Sequence, residues 1–211
     1  MYKYVKDTVF LKQMGRDCIG HLKSLRKIIN NEKRLRVDFK LIGNDPLTMT
    51  IQDGINPLTI PFVLEILEIL DNSLNESNIK EYIMSSFNKI EGSAFGSCVD
   101  SKYSIETKCI WYTTGNNTKF KLNISLVSMK NNIVYRLVKT KDGDSYYFEE
   151  LENSKNIISK LSKIRNLSLY DKVRVTYLNK QNYYLKQEDL NYPSINLYIN
   201  SIFEVYKKYV K

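Results

Sequence analysis

Two strand-like segments joined through a turn and framed by amphipathic helices constrain this chain more than anything else in it. Arg34-Leu35-Arg36-Val37-Asp38-Phe39-Lys40-Leu41 alternates strictly between apolar and polar residues. A period of two places the apolar set on one face of a half-buried strand. Gly43-Asn44-Asp45-Pro46 then ends the segment with turn chemistry. A second strand is expected from about Leu58 to Leu70, with Pro61 an awkward guest inside it. Ahead of both, Phe10, Met14, Cys18, His21, Leu22, Leu25 and Ile29 recur at spacings of three and four. That pattern predicts a long helix from about Asp7 to Asn30.

The rest of the chain continues in the same alternating manner. Asn75 to Ile90 reads as a second amphipathic helix. Strands are expected over Tyr103–Tyr112, Lys119–Ser128 and Ile133–Lys139, and Tyr146-Tyr147-Phe148 suits a short edge strand. Thr114-Gly115-Asn116-Asn117 and Lys130-Asn131-Asn132 are good antiparallel connections. The last sixty or so residues read as helices over about Ser154–Ile164, Ser168–Lys186 and Ser194–Val210, with Ser194 placed to cap the last. Strands cluster in the middle and helices at both ends. The pattern predicts an α+β domain with one mixed sheet and a C-terminal helical region. Residues 1–150 would form the core and 151–211 the helices packed on it, in a single compact unit; there is no internal repeat or Pro/Gly/Ser linker.

Composition narrows the function classes. Hydrophobic residues make up 43% of the 211 and aromatic residues 12%, enough for a packed core. No apolar run approaches the ~20 residues of a membrane-spanning helix, and the polar start Met1-Tyr2-Lys3-Tyr4 is no secretory signal. Cys18, Cys98 and Cys109 form neither a metal pair nor an even disulfide set, which suits a reducing cytoplasm. The net charge of +9 has two readings. It fits an anionic partner such as a nucleotide or nucleic acid. It also fits a genome of low GC content, because Lys, Asn, Ile and Tyr have AT-rich codons.

The order helix, strand, Gly-containing turn, strand, helix, strands resembles the polymerase-β-type nucleotidyltransferase superfamily. More particularly it resembles a group of small bacterial nucleotidyltransferase-like proteins often found on mobile elements. The resemblance runs from about Leu25 to Tyr209. It is carried by Phe39-Lys40-Leu41-Ile42-Gly43, Ile60-Pro61-Phe62-Val63-Leu64-Glu65-Ile66, Phe120–Val127, Tyr135-Arg136-Leu137-Val138, and the tail from Tyr184-Leu185 through Tyr192-Pro193-Ser194. It implies a nucleotidyltransferase-like mixed sheet flanked by helices, and a site in which carboxylates on two strands hold two Mg²⁺ ions for phosphoryl transfer.

The motif positions are largely emptied of that chemistry. Gly43 stands where the family's turn glycine stands, and Asn44 replaces its serine. Pro61 and Val63 stand at the acidic–x–acidic pair, and Asn123 at the third carboxylate. The resemblance therefore implies vestigial catalytic positions and no metal. Phosphate binding is expected at Gly43 and Asn44, with Lys40 and Arg36 beside them. Other acids lie near these positions. Glu65 and Glu68 lie three apart on one strand and are expected on opposite faces, and Asp38, Asp45 and Asp53 flank the turn. The expected protein is catalytically inactive, uses no cofactor, and works by binding a nucleotide, a nucleic acid or a protein partner. Two alternatives stand beside it: a divergent Mg²⁺-dependent enzyme acting on an RNA, protein or small-molecule acceptor, and a basic nucleic-acid-binding module.

Other constellations carry less. His21 and Cys18 stand at i, i+3 on a helix, a spacing that suits packing as well as chemistry. Trp111 and Tyr112 suit a sheet face. Lys23, Arg26, Lys27, Lys33, Arg34 and Arg36 lie close to the turn and fit either a phosphate or solvent. In the C-terminal helices tyrosines interleave with Lys163, Arg165, Lys172, Arg174, Lys180 and Lys186, which suits base stacking or ordinary helix packing.

Overall fold

The computed structural model describes residues 1–6, 8–41, 49–52, 58–91, 95–108, 110–112, 118–143, 145–187 and 194–211, with backbone alone at 8, 40, 41, 60, 110–112 and 118. In chain order the elements are β1 (Lys3–Tyr4), α1 (Thr8–Asn31), β2 (Leu35–Leu41), β3 (Ile51–Gln52), β4 (Leu58–Ile69), α2 (Glu76–Asn88), β5 (Cys98–Asp100) and β6 (Ile105–Thr107). There follow β7 (Ile110–Tyr112), β8 (Thr118–Lys130), β9 (Ile133–Lys139), β10 (Tyr146–Glu150), α3 (Ile157–Asn166), α4 (Tyr170–Lys186) and α5 (Ser194–Tyr209). The main sheet runs β10-β9-β8-β4-β2, and β6 and β7 add to β8. β4 and β8 are parallel, while every other pairing is antiparallel.

Each long strand feeds two cores. On one face Phe62, Leu64 and Ile66 of β4 and Phe120, Leu122, Ile124 and Leu126 of β8 meet the apolar stripe of α1 and the buried side of α2. On the other, Val63 and Val127 meet α3, α4 and α5. The α1 stripe is buried as its spacing requires, from Phe10 to Ile29. α2 starts at a reciprocal cap, in which the Ser77 amide donates to Asn75 Oδ1 (2.9 Å) and the Asn75 amide donates to Asn78 Oδ1 (2.8 Å). β8 and β9 turn through Asn131 and Asn132, both left-handed (φ 51° and 61°), as a tight two-residue hairpin demands.

Several boundaries depart from the sequence expectation. The single strand expected over Tyr103–Tyr112 is two, β6 and β7, and β5 forms a hairpin with β6. β1 and β3 form a separate two-stranded ribbon too short to show periodicity. Ser194 is the first residue of α5 rather than the residue before it. A further correction concerns Glu65 and Glu68. The β2–β4 register pairs Asp38 with Glu65 but Arg36 with Glu68, with a shift between Arg36 and Val37. That bulge adds one residue to β4, so two positions three apart share a face. Among the described residues no helix is long and apolar enough to cross a membrane.

Candidate functional site

Pro61 and Asn123 are far apart in sequence and adjacent in the sheet. The parallel register of β4 and β8 pairs Pro61 with Asn123 and Val63 with Ser125. β2 contributes Lys40 opposite Val63, and β6 contributes Glu106 opposite Asn123. Cross-strand partners share a face, here the one toward α3–α5, to which Val63 belongs. Three of the positions expected from the sequence thus lie in two neighbouring rows. Gly43 and Asn44 lie outside the described residues, as do Asp45 and Asp53.

The polar chemistry here centres on a carboxylate that motif matching passed over. Lys121 Nζ lies 2.6 Å from Glu106 Oε2. Asn123 Nδ2 donates to Glu106 Oε1 (3.1 Å) and to Ser104 Oγ (2.9 Å). Both oxygens of Glu106 therefore already have donors, one of them an ammonium. Lys121 and Asn123 are two apart on β8 and so face the same way. Glu106 was hidden because Tyr103–Tyr112 reads as one strand. The signal that finds it is the Ser104-Ile105-Glu106-Thr107 alternation, which opposes an acid to Lys121.

The two divalent cations that the resemblance implies would find few ligands among these side chains. Such ions are hard and bind several oxygens, usually carboxylates. Pro61 and Val63 are buried and offer no donor atom, and Asn123 offers a neutral amide. Glu106 is balanced by Lys121. Among the described residues no group of three or more His, Cys, Asp or Glu is placed to hold a metal ion.

Asp38 and Glu68, among the candidate substitutes, and Arg36, among the candidate phosphate ligands, are in ion pairs of their own. Arg36 makes an exposed ion pair with Glu68 (3.4 Å) at the end of β2 away from Lys40. Four residues of strand separate it from Lys40, about 13 Å. Arg26 binds Asp38 (2.8 Å) and lies over the Phe39 ring, and Arg34 binds Asp71 (2.6 Å). Three of the six basic residues near the turn are thus tied to the chain's own acids. Cys18 is wholly buried in the first core, and burial pushes its thiol up, away from the thiolate a nucleophile needs. Cys109 and the side chains of Trp111 and Tyr112 are outside the described set. Tyr177 and Tyr198 are core residues packed edge to face, whereas Tyr183 and Tyr209 are exposed.

No protein-family model and no curated protein matches the chain. Solved structures do. CdnC of E. coli MS115-1, determined with ATP, aligns over 93% of this chain and 59% of its own at 10% identity, with a TM-score of 0.51. The CdnE cyclic dinucleotide synthase of Elizabethkingia meningoseptica, determined with GTP and Apcpp, aligns over 90% and 75% at 9% identity, with a TM-score of 0.48. At such identities the likeness is one of fold. The chain is a mixed α+β protein whose sheet and flanking helices match the nucleotidyltransferase type.

Proposed function

We propose that this protein is a catalytically inactive nucleotidyltransferase-like protein that works by binding a nucleotide, a nucleic acid or a protein partner. The observation that carries this reading is the pairing of Pro61 with Asn123 and of Val63 with Ser125, beside a Glu106 already balanced by Lys121. Phosphoryl transfer of this kind relies on divalent ions to neutralise the triphosphate and activate the attacking hydroxyl. Without carboxylates the ions have nothing to displace their hydration shells for. Every 1.36 kcal/mol of lost transition-state stabilisation is tenfold in rate, so the loss of three charged ligands removes useful turnover. A match to a structure holding ATP supports a nucleotide as one ligand.

The competing reading is an active enzyme that holds Mg²⁺ with other acids. Asp38, Glu65 and Glu68 do share one sheet face, which favours it. Against it, Asp38 and Glu68 are each held by an arginine. The test is incubation of the full chain with each labelled nucleoside triphosphate in Mg²⁺ and in Mn²⁺. Neither nucleotide transfer nor pyrophosphate release above background is expected, and equilibrium nucleotide binding should survive EDTA. Turnover that rises in proportion to protein and vanishes in EDTA establishes the enzyme instead.

A further inference from the structure

The positive charge is not spread along the chain. Residues 153–211 carry eleven Lys and Arg against four Asp and Glu, a net +7 of the total +9. Residues 1–36 are as basic, with ten Lys and Arg against three Asp and Glu, while residues 37–152 carry a net −5, so the charge gathers at the two ends of the sequence rather than following codon usage evenly.

The structure gathers four of the C-terminal lysines on one stripe. Phe203, Tyr206 and Tyr209 follow each other every three residues along α5 and so share a side of it. Lys160 and Lys163 reach in from α3. Lys160 Nζ lies 5.0 Å from the Phe203 ring centroid, and Lys163 Nζ lies 5.8 Å from the Tyr206 centroid and 3.5 Å from its hydroxyl. Lys172 comes from α4 and Lys208 from α5 itself, and both sit over Tyr209, at 5.6 and 5.1 Å. Three helices thus aim ammonium groups at one row of rings. Cation–π contacts fix where those flexible side chains rest, which lowers the ordering cost of using them on a ligand.

Among the described residues the acids of this region are used elsewhere. Asp171 pairs with Arg174 and Glu204 with Lys180. Among the described residues none of the four stripe lysines is in an ion pair. Tyr209 is 44% exposed.

We propose that this stripe binds single-stranded nucleic acid, with the lysines on successive phosphates and Tyr209 stacked on an unpaired base. Cations gathered beside an accessible ring are what a phosphate backbone with splayed bases needs. A lipid surface fits less well. Interfacial helices bury an apolar face in the bilayer, and Leu197, Ile199, Ile202 and Val205 of α5 are already buried in the second core. The stripe involves none of Pro61, Val63 or Asn123, so this proposal and the inactive-site reading stand or fall separately.

The test is fluorescence anisotropy of the full chain with a labelled single strand of about 20 nucleotides, from about 50 to 200 mM salt. Each phosphate neutralised on a single strand contributes a log–log salt slope of about −0.7. A slope of roughly −2 to −3 is expected, for three or four contacts. The variant Lys163→Gln, Lys172→Gln, Lys208→Gln should bind at least about tenfold more weakly and flatten the slope by about 2. Tyr209→Leu should weaken binding about tenfold and leave the slope unchanged. Exchanging Lys12, Lys108 and Lys141, exposed and outside both basic clusters, for Gln is the matched control and should change neither. All these positions are exposed, so circular dichroism should report an unchanged fold. The proposal is overturned by no binding at the lowest salt, by equal losses in the two triple variants, or by tighter binding to duplex, polyglutamate or anionic vesicles than to the strand.

Discussion

At the scale of single residues, identity and environment have to be read together. His21 is the chain's one histidine, and its ring lies between Phe87 (4.4 Å) and Phe95 (4.9 Å). Burial pushes its pKa down to about 4 from an ordinary 6.5. The unfolded chain therefore takes up this proton before the folded chain does. The neutral ring's contribution to stability is whole above about pH 6.5 and is lost as pH falls toward 4. A loss of about 1–2 kcal/mol by pH 5 is expected. Urea unfolding at pH 7 and pH 5 should show it in the wild type and not in His21→Leu. Equal losses in both proteins would assign the pH dependence to other groups. Glu106 and Lys121 teach the same lesson from the opposite side, because neither belongs to a motif and together they set the charge at the Asn123 patch.

At the scale of elements, side chains settle what strand propensity leaves open. β2 is an edge strand with a row of unpaired backbone groups. Asn30, near the end of α1, closes part of that row: the Val37 amide donates to Asn30 Oδ1 (2.8 Å), and Asn30 Nδ2 donates to the Val37 carbonyl (3.1 Å). One amide side chain thus imitates a neighbouring strand. Asn30→Ala removes both bonds and should cost about 1–2 kcal/mol. It should also speed hydrogen exchange at the Val37 amide, and protection there equal to that of the wild type would show the clip to be dispensable. α2 is held in a different way. Lys80, wholly buried, lies 2.6 Å from Asp100 Oδ1 on β5, while Lys139 of β9 and Tyr146 of β10 reach Asp100 Oδ2 at 2.8 and 2.7 Å. Burial raises the Asp100 carboxyl, and the hydrogen bonds from Lys139, Lys80 and Tyr146 together outweigh it and hold the group below the usual carboxylate range.

At the scale of the molecule, β4 and β8 make the protein one unit. Their alternate residues belong to different cores, so neither layer of helices can leave without exposing strands that the other layer needs. Arg136 joins them further: it is 2% exposed on β9, binds Glu149 of β10 (2.6 Å) and donates to Asn196 of α5 (2.7 Å). The N-terminus is tied to the far helices through Tyr2, whose amide donates to Asn182 Oδ1 (2.6 Å). A single cooperative transition is expected. Leu64→Ala, a cavity in the first core, should lower stability by about 2–5 kcal/mol. It should do so without separating the far-ultraviolet helix signal from the near-ultraviolet tyrosine signal. Two resolved transitions would show that α3–α5 unfold on their own.

Periodicity alone sufficed for α1, β2, α2 and the three final helices, which each bury one face along their own length, while β4 and β9 showed as apolar runs of strand length. Identity likewise determined that Pro61, Val63 and Asn123 bring no carboxylate. Elements of two or three residues, β1, β3 and β5, were illegible because a period needs more repeats than they have. The faces of Glu65 and Glu68 were misjudged for a related reason: a one-residue bulge is set by how β4 pairs with β2, not by β4 itself. The same holds for the site. Which residues stand beside Asn123 depends on the parallel register between strands some sixty residues apart, and only the tertiary structure places Glu106 and Lys121 there. Local patterns determine what a segment can bury, and the pairing of distant segments determines what its polar residues meet.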